Sequence, residues 1–130
     1  MNDHQTILIA EDEADFRHEL GAYLERQGYR VVAVEDGYQA LEFAVREQPD
    51  LLLLDVHMPA GDGFRVHERI AKHPDLEMIP VIYMTHDPSE DVDDTADATG
   101  GFALLYKPFE MEYLLEVVHA ALRSYGAEAA

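Results

Sequence analysis

Cysteine is absent from the 130 residues, so disulfides and thiolate metal sites are excluded and a reducing compartment is compatible. Basic residues are scarce. Nine Lys and Arg stand against 27 Asp and Glu, a formal charge of −18 that repels phosphate backbones and anionic lipid surfaces. Direct nucleic-acid binding is therefore not expected. No apolar run approaches the roughly 20 residues of a membrane span. The opening MNDHQT lacks a basic segment followed by an apolar one, so no secretory signal is read and a soluble, cytoplasmic protein is expected. A glycine-rich phosphate loop is missing after the first apolar run, which counts against a nucleotide cofactor.

What the chain does have is enough apolar material, 48% of its residues, to build one core in a single domain spanning residues 1–130. The central stretch is Leu51 to Pro59, LLLLDVHMP. Four leucines without polar alternation predict a strand buried on both faces, as in a parallel sheet covered by helices. Asp55 falls at its C-terminal end, where open α/β sheets keep their ligand sites.

The other elements alternate around it. Strands are predicted at Thr6–Ala10, Tyr29–Val34, Ile79–Thr85 and Ala103–Tyr106. Phe16, Leu20, Tyr23 and Leu24 mark one face of a helix over Ala14–Gln27, with Gly28 at its C′ position. Ala40, Leu41, Ala44 and Val45 give a second helical stripe; Phe64, Val66 and Ile70 give a third within Gly63–Lys72. Met111, Leu114, Leu115, Val118, Leu122 and Tyr125 form the strongest amphipathic helix, followed by a tail from Gly126 to Ala130 expected to fray. Asp87–Thr99 is helical by position but poorly built, with acids at Asp94 and Asp97 and little apolar stripe beyond Val92, Ala96 and Ala98. A short, frayed or mobile helix is expected there. Short connections between alternating strands and helices imply a parallel sheet with helices on both faces.

In such a sheet all C-terminal strand ends lie on one edge. That edge then gathers Glu11 and Asp12, Asp55, Thr85 and Lys107. Crowded carboxylates demand a proton or a cation among them, and oxygen ligands with no His or Cys partner suit Mg²⁺. With a cation, an ammonium and a hydroxyl around it, a phosphoryl group is held at its peripheral oxygens, and Asp55 is placed as the nucleophile forming an acyl phosphate. Singly, each residue also has an ordinary explanation: a helix-capping acid, a strand threonine, a turn lysine. Their joint placement is what favours chemistry.

These segments resemble the receiver domain of two-component response regulators over essentially the whole chain. ILIAEDE matches the first strand and acidic pair, VEDGYQAL the second turn and helix, LLLLDVHMP the phosphoacceptor strand, IPVIYMT the fourth strand and KPF the lysine turn. The resemblance implies a flavodoxin-like (βα)5 sandwich, a five-stranded parallel sheet in the order 2-1-3-4-5. It implies a signalling phosphoacceptor rather than an enzyme acting on an outside substrate. Asp55 would take a phosphoryl group from a phosphohistidine on a sensor histidine kinase or a histidine phosphotransfer protein. Asp12 and Asp55 would bind Mg²⁺ directly, Glu11 through water, and His57 through its backbone carbonyl, its ring bordering the site. Thr85 and Lys107 would contact the phosphoryl group. The domain would catalyse its own phosphorylation and slow hydrolysis, and its effect would pass to a downstream partner or to an output domain outside this chain.

Several positions depart from the family pattern. Leu104 stands where receivers carry an aromatic switch residue. Phe102 or Tyr106 is expected to replace it only with a backbone shift, on the premise that neighbouring strand residues face opposite sides. His86 replaces a small residue beside Thr85 and is expected to restrict access, and Gly61 replaces an apolar one, loosening the loop after Asp55. The poor fourth helix argues against the family's usual symmetric dimer. These departures motivate a competing reading, a pseudo-receiver that signals without phosphate. A flavin binder or a phosphohydrolase on the same fold is a third.

Overall fold

The uninterrupted apolar runs become the middle of a sheet. The computed structural model describes residues 4–59, 62–76, 78–87 and 89–129. Strands β1 (Thr6–Ala10), β2 (Arg30–Val34), β3 (Leu51–Asp55), β4 (Val81–Thr85) and β5 (Ala103–Tyr106) alternate with helices α1 (Ala14–Arg26), α2 (Gly37–Glu47), α3 (Gly63–Ala71), α4 (Glu90–Ala98) and α5 (Met111–Ala129). All pairings are parallel and the order is β2-β1-β3-β4-β5, the flavodoxin-like arrangement that the resemblance implies. Every residue of β1, β3 and β4 is buried, whereas the edge strands β2 and β5 are partly exposed. Full burial of both faces explains why these three strands are nearly continuous in apolar residues.

Alternating strand side chains divide the core in two. Leu8, Ala10, Leu52, Leu54, Val81 and Tyr83 point toward α2, α3 and α4, meeting Ala40, Ala44, Val66, Ile70, Val92 and Ala96. Ile7, Ile9, Leu51, Leu53, Ile82 and Met84 point the other way, against Leu20 and Leu24 of α1 and Leu114, Val118 and Ala121 of α5. The period-two side-chain pattern of a strand makes this partition unavoidable.

Element ends follow local chemistry. Asp36 and Asp62 cap α2 and α3 by accepting from the backbone N–H groups of Gln39 and Arg65. Gly28, with φ of 99°, follows α1 in the left-handed conformation that spares it a Cβ clash. β4 begins at Val81, two residues later than the Ile79 start expected; Pro80 has no N–H to donate, although its carbonyl accepts from Leu52. The helical path of α5 runs to Ala129, into the segment expected to fray.

α4 is short, nine residues, and begins at Glu90 rather than Asp87. Asp87 is used in a turn instead: its N–H donates to Thr85 Oγ1 and its carboxylate accepts from Ser89 N–H, after which Ser89 caps the helix. Among the residues of α4 whose burial is described, only Val92 and Ala96 are buried; Asp94, Asp97 and Ala98 are exposed. What α4 lacks in apolar surface is supplemented by a polar clasp. The buried Tyr83 hydroxyl lies 2.5 Å from Nδ1 of His67 on α3 and 2.7 Å from Oγ1 of Thr99 just past α4. Gly101 lies flush on the Tyr83 ring, where an added Cβ would come within 2.5 Å of a ring carbon.

The strand period also corrects the expectation about β5. Tyr106 and Leu104 are two residues apart and share a face. Leu104 packs into the layer that contains α4, and the Tyr106 hydroxyl donates to the Asp93 carboxylate of that helix. No backbone shift is needed to put Tyr106 on that side. Phe102, which precedes the strand, packs in the opposite layer.

Candidate functional site

The C-terminal edge of the sheet brings most of the expected residues together. β1 delivers Glu11, which is 1% exposed, and the exposed Asp12; β3 delivers Asp55, 4% exposed. One carboxylate oxygen from each of Glu11, Asp12 and Asp55 lies within 4.8 Å of the others. Lys107, from the turn after β5, answers this charge: its Nζ lies 2.6 Å from Glu11 Oε1 and 3.2 Å from Asp55 Oδ2. The Lys107 backbone N–H donates to the Thr85 carbonyl at 2.8 Å, tying the lysine turn to the end of β4.

Each acid is oriented by the backbone. Asp55 Oδ1 accepts from His57 N–H at 3.3 Å, and Glu11 Oε2 accepts from Glu13 N–H at 3.1 Å. Behind Asp55 the start of α3 comes extremely close. A Cβ on Gly63 would meet the Asp55 carbonyl oxygen at 2.6 Å, so only glycine fits. Thr85 is fully buried, and its Oγ1 accepts from Asp87 N–H at 2.9 Å. That contact uses an oxygen lone pair and leaves the hydroxyl proton to donate. The structure thus groups Glu11, Asp12, Asp55 and Lys107 by direct proximity and sets Thr85 on the adjacent strand end.

The His57 ring is exposed, with Nε2 3.6 Å from Asp87 Oδ2. Together they span from the loop after β3 to the loop after β4. His86 is exposed. Gly61 lies outside the described residues. An open cleft of about 650 Å³ beside the acids is lined by Asp12, His57, Met58, Pro59, Asp62 and Arg65.

Burial governs the electrostatics. Desolvation pushes the Glu11 carboxyl up to about 7, opposed by the hydrogen bonds from Lys107 and Glu13 and reinforced by the Asp55 charge. Three carboxylates crowd on this edge around a single ammonium, a charge imbalance that a small cation relieves. The all-oxygen donor set matches Mg²⁺.

Three contributors were not singled out from sequence. Arg17 Nη1 donates to the Glu11 carbonyl at 2.8 Å and its guanidinium lies 3.8 Å from Glu35. Asp87 engages both Thr85 and His57. Phe16 places its ring 5.0 Å from Lys107 Nζ. Phe16 reads as a core residue in the helical stripe, and only the tertiary fold brings it under the lysine.

Five parallel strands in this order, with acids, a threonine and a lysine on one edge, define a receiver-type α/β domain. The family model for the response regulator receiver domain matches residues 7–119, and the chain belongs to that family. It is 34% identical to the transcriptional regulatory protein PdtaR of Mycobacterium tuberculosis over 92% of this chain, but spans only 57% of that protein. It therefore covers little more than half the length of that relative. Similarity to the protein PilH of Pseudomonas aeruginosa is 33% identity over 89% of this chain and 96% of that one. Among solved structures, the receiver domain of the sensor histidine kinase PA1611 from Pseudomonas aeruginosa superposes with a TM-score of 0.85 at 28% identity, covering 92% of this chain and 98% of that one. That structure has a magnesium ion coordinated in its active-site cleft.

Proposed function

We propose that the chain is a phosphorylation-dependent signalling module whose phosphoacceptor is Asp55. The observation that carries this reading is the Lys107 ammonium set between Glu11 and Asp55, 2.6 and 3.2 Å away, beside three carboxylates able to share a cation. An Asp55 oxygen attacks the phosphorus of a phosphohistidine on a sensor histidine kinase or a histidine phosphotransfer protein. The P–N bond breaks, the imidazole leaves with the electron pair, and an acyl phosphate forms. Lys107 pairs with a phosphoryl oxygen, and Thr85 donates its hydroxyl proton to another.

Asp12 and Asp55 would hold Mg²⁺ directly, with Glu11 acting through water and His57 through its carbonyl. Bound there, the ion supplies positive charge for the phosphoryl oxygens. The reaction stays within the domain and its partner kinase, in the cytoplasm, with self-phosphorylation from small donors and slow self-hydrolysis. The signal passes to a downstream effector or to an output domain beyond this chain. The strongly acidic surface argues against direct contact with nucleic acid.

Intact mass after incubation with Mg²⁺ and a small-molecule phosphodonor tests this. Wild type is expected to gain one phosphate-sized increment and Asp55→Asn none. No increment, together with no Mg²⁺ binding by calorimetry, would replace this reading with a phosphate-independent interaction module.

A further inference from the structure

The Lys107 side chain is only 5% exposed, so its charge is almost stripped of water. A dehydrated ammonium must direct all its donors at something. Two sides face Glu11 Oε1 and Asp55 Oδ2. Another faces the ring of Phe16, 5.0 Å from Nζ to the centroid, within the range of a cation–π contact. Phe16 is itself braced: Phe109 stands against it edge-to-face, with centroids 5.8 Å apart and an interplanar angle of 68°. Phe109 follows Lys107 by two residues, so the turn that delivers the lysine also locks the ring beneath it.

We infer that Phe16 is a positioning residue, holding the Lys107 ammonium over the phosphoacceptor through its ring face. The inference rests on the phosphoacceptor reading for its consequence, though not for its geometry. The two carboxylate contacts are conditional, because a divalent cation on the same oxygens draws off the charge that attracts the ammonium. The ring has no such competitor. It keeps Lys107 directed inward when the carboxylates are otherwise engaged. Leucine would fill much of the same apolar space without a negative face, whereas tyrosine would retain the face.

The sequence holds two lysines, Lys72 and Lys107, which makes the test direct. In protein labelled with ¹³C-lysine, the exposed Lys72 is the reference. The Lys107 ε-methylene protons are expected upfield of it through the ring current, and to remain so at saturating Mg²⁺. Phe16→Leu should collapse that difference and slow Asp55 phosphorylation roughly threefold to tenfold, while Phe16→Tyr should keep both. Should Phe16→Leu not fold, the series of fluorinated phenylalanines at position 16 preserves shape while weakening the ring face. Its phosphorylation rates should fall in order of fluorination.

A Lys107 signal coincident with that of Lys72, or one that moves to it with Mg²⁺, would overturn the inference. So would Phe16→Leu or fluorinated variants phosphorylated at the wild-type rate. An upfield signal in a wild type that accepts no phosphate would instead sink the phosphoacceptor reading and leave Phe16 as the anchor of an ion-paired lysine.

Discussion

Glu11 shows how burial sets the chemistry of a single side chain. At 1% exposure its carboxylate loses hydration that Lys107 only partly replaces, and its proton is retained to about pH 7. The unfolded chain releases that proton near 4.5, so between the two values the folded state binds more protons, and stability contributed by this group falls as pH rises. On the proposed reading, Mg²⁺ binding displaces the same proton. Mg²⁺ affinity, measured by calorimetry, is therefore expected to rise about tenfold from pH 6 to pH 8 and to flatten in Glu11→Gln. A flat wild-type profile would show that the ion pair with Lys107 already keeps Glu11 charged. The acid pair was legible in the sequence because it ends an apolar strand. Its retained proton was not, since desolvation depends on neighbours that arrive from β3 and the β5 turn.

The elements differ in how they are held, and α4 is the outlier. The other helices dock by apolar stripes that the sequence displays at helical spacing. α4 docks by two small apolar residues and the His67–Tyr83–Thr99 clasp. Burial pushes the Tyr83 hydroxyl up to about 12, so it remains a donor at any ordinary pH, and burial lowers the His67 imidazole against the pull of Glu68. The direction of the His67–Tyr83 bond follows the His67 tautomer. Because Thr99 Oγ1 donates to the Ala96 carbonyl, all three contacts are satisfied together when His67 Nδ1–H donates to Tyr83 and Tyr83 donates to Thr99.

Tyr83→Phe is expected to cost about 1–3 kcal/mol by stranding the partners of the hydroxyl. It should also raise hydrogen exchange across residues 91–98 more than across α3. Equal exchange in the two helices would show that Val92 and Ala96 alone seat α4. In wild type these amides are expected to be weakly protected, and strong protection would contradict a mobile α4. This clasp was invisible in the sequence. His67 lies in the α3 stripe region and Tyr83 in a buried strand, and nothing in either pattern announces that their polar atoms meet. Tyr106 departs from expectation for a different reason: counting by two along β5 places it beside Leu104, on the face toward α4.

At the scale of the whole molecule, the dominant fact is the charge of −18. Self-repulsion on that scale loosens the folded state, and added salt screens it. The unfolding temperature is expected to rise with sodium chloride, and in dilute buffer Mg²⁺ should raise it further in wild type than in Asp12→Asn. Equal Mg²⁺ responses in the two proteins would mean that the ion acts only as diffuse screening. The architecture itself was legible because the three central strands are buried on both faces and therefore written as apolar blocks. The same sheet also acts as a partition. Among the described residues, Leu20, Leu114 and Val118 belong to one core cluster and Val66, Ile70 and Tyr83 to the other. Damage in the two layers accordingly accumulates by simple addition. One layer can drift in sequence without compensating change in its neighbour, so long as the strands between them keep their ends together.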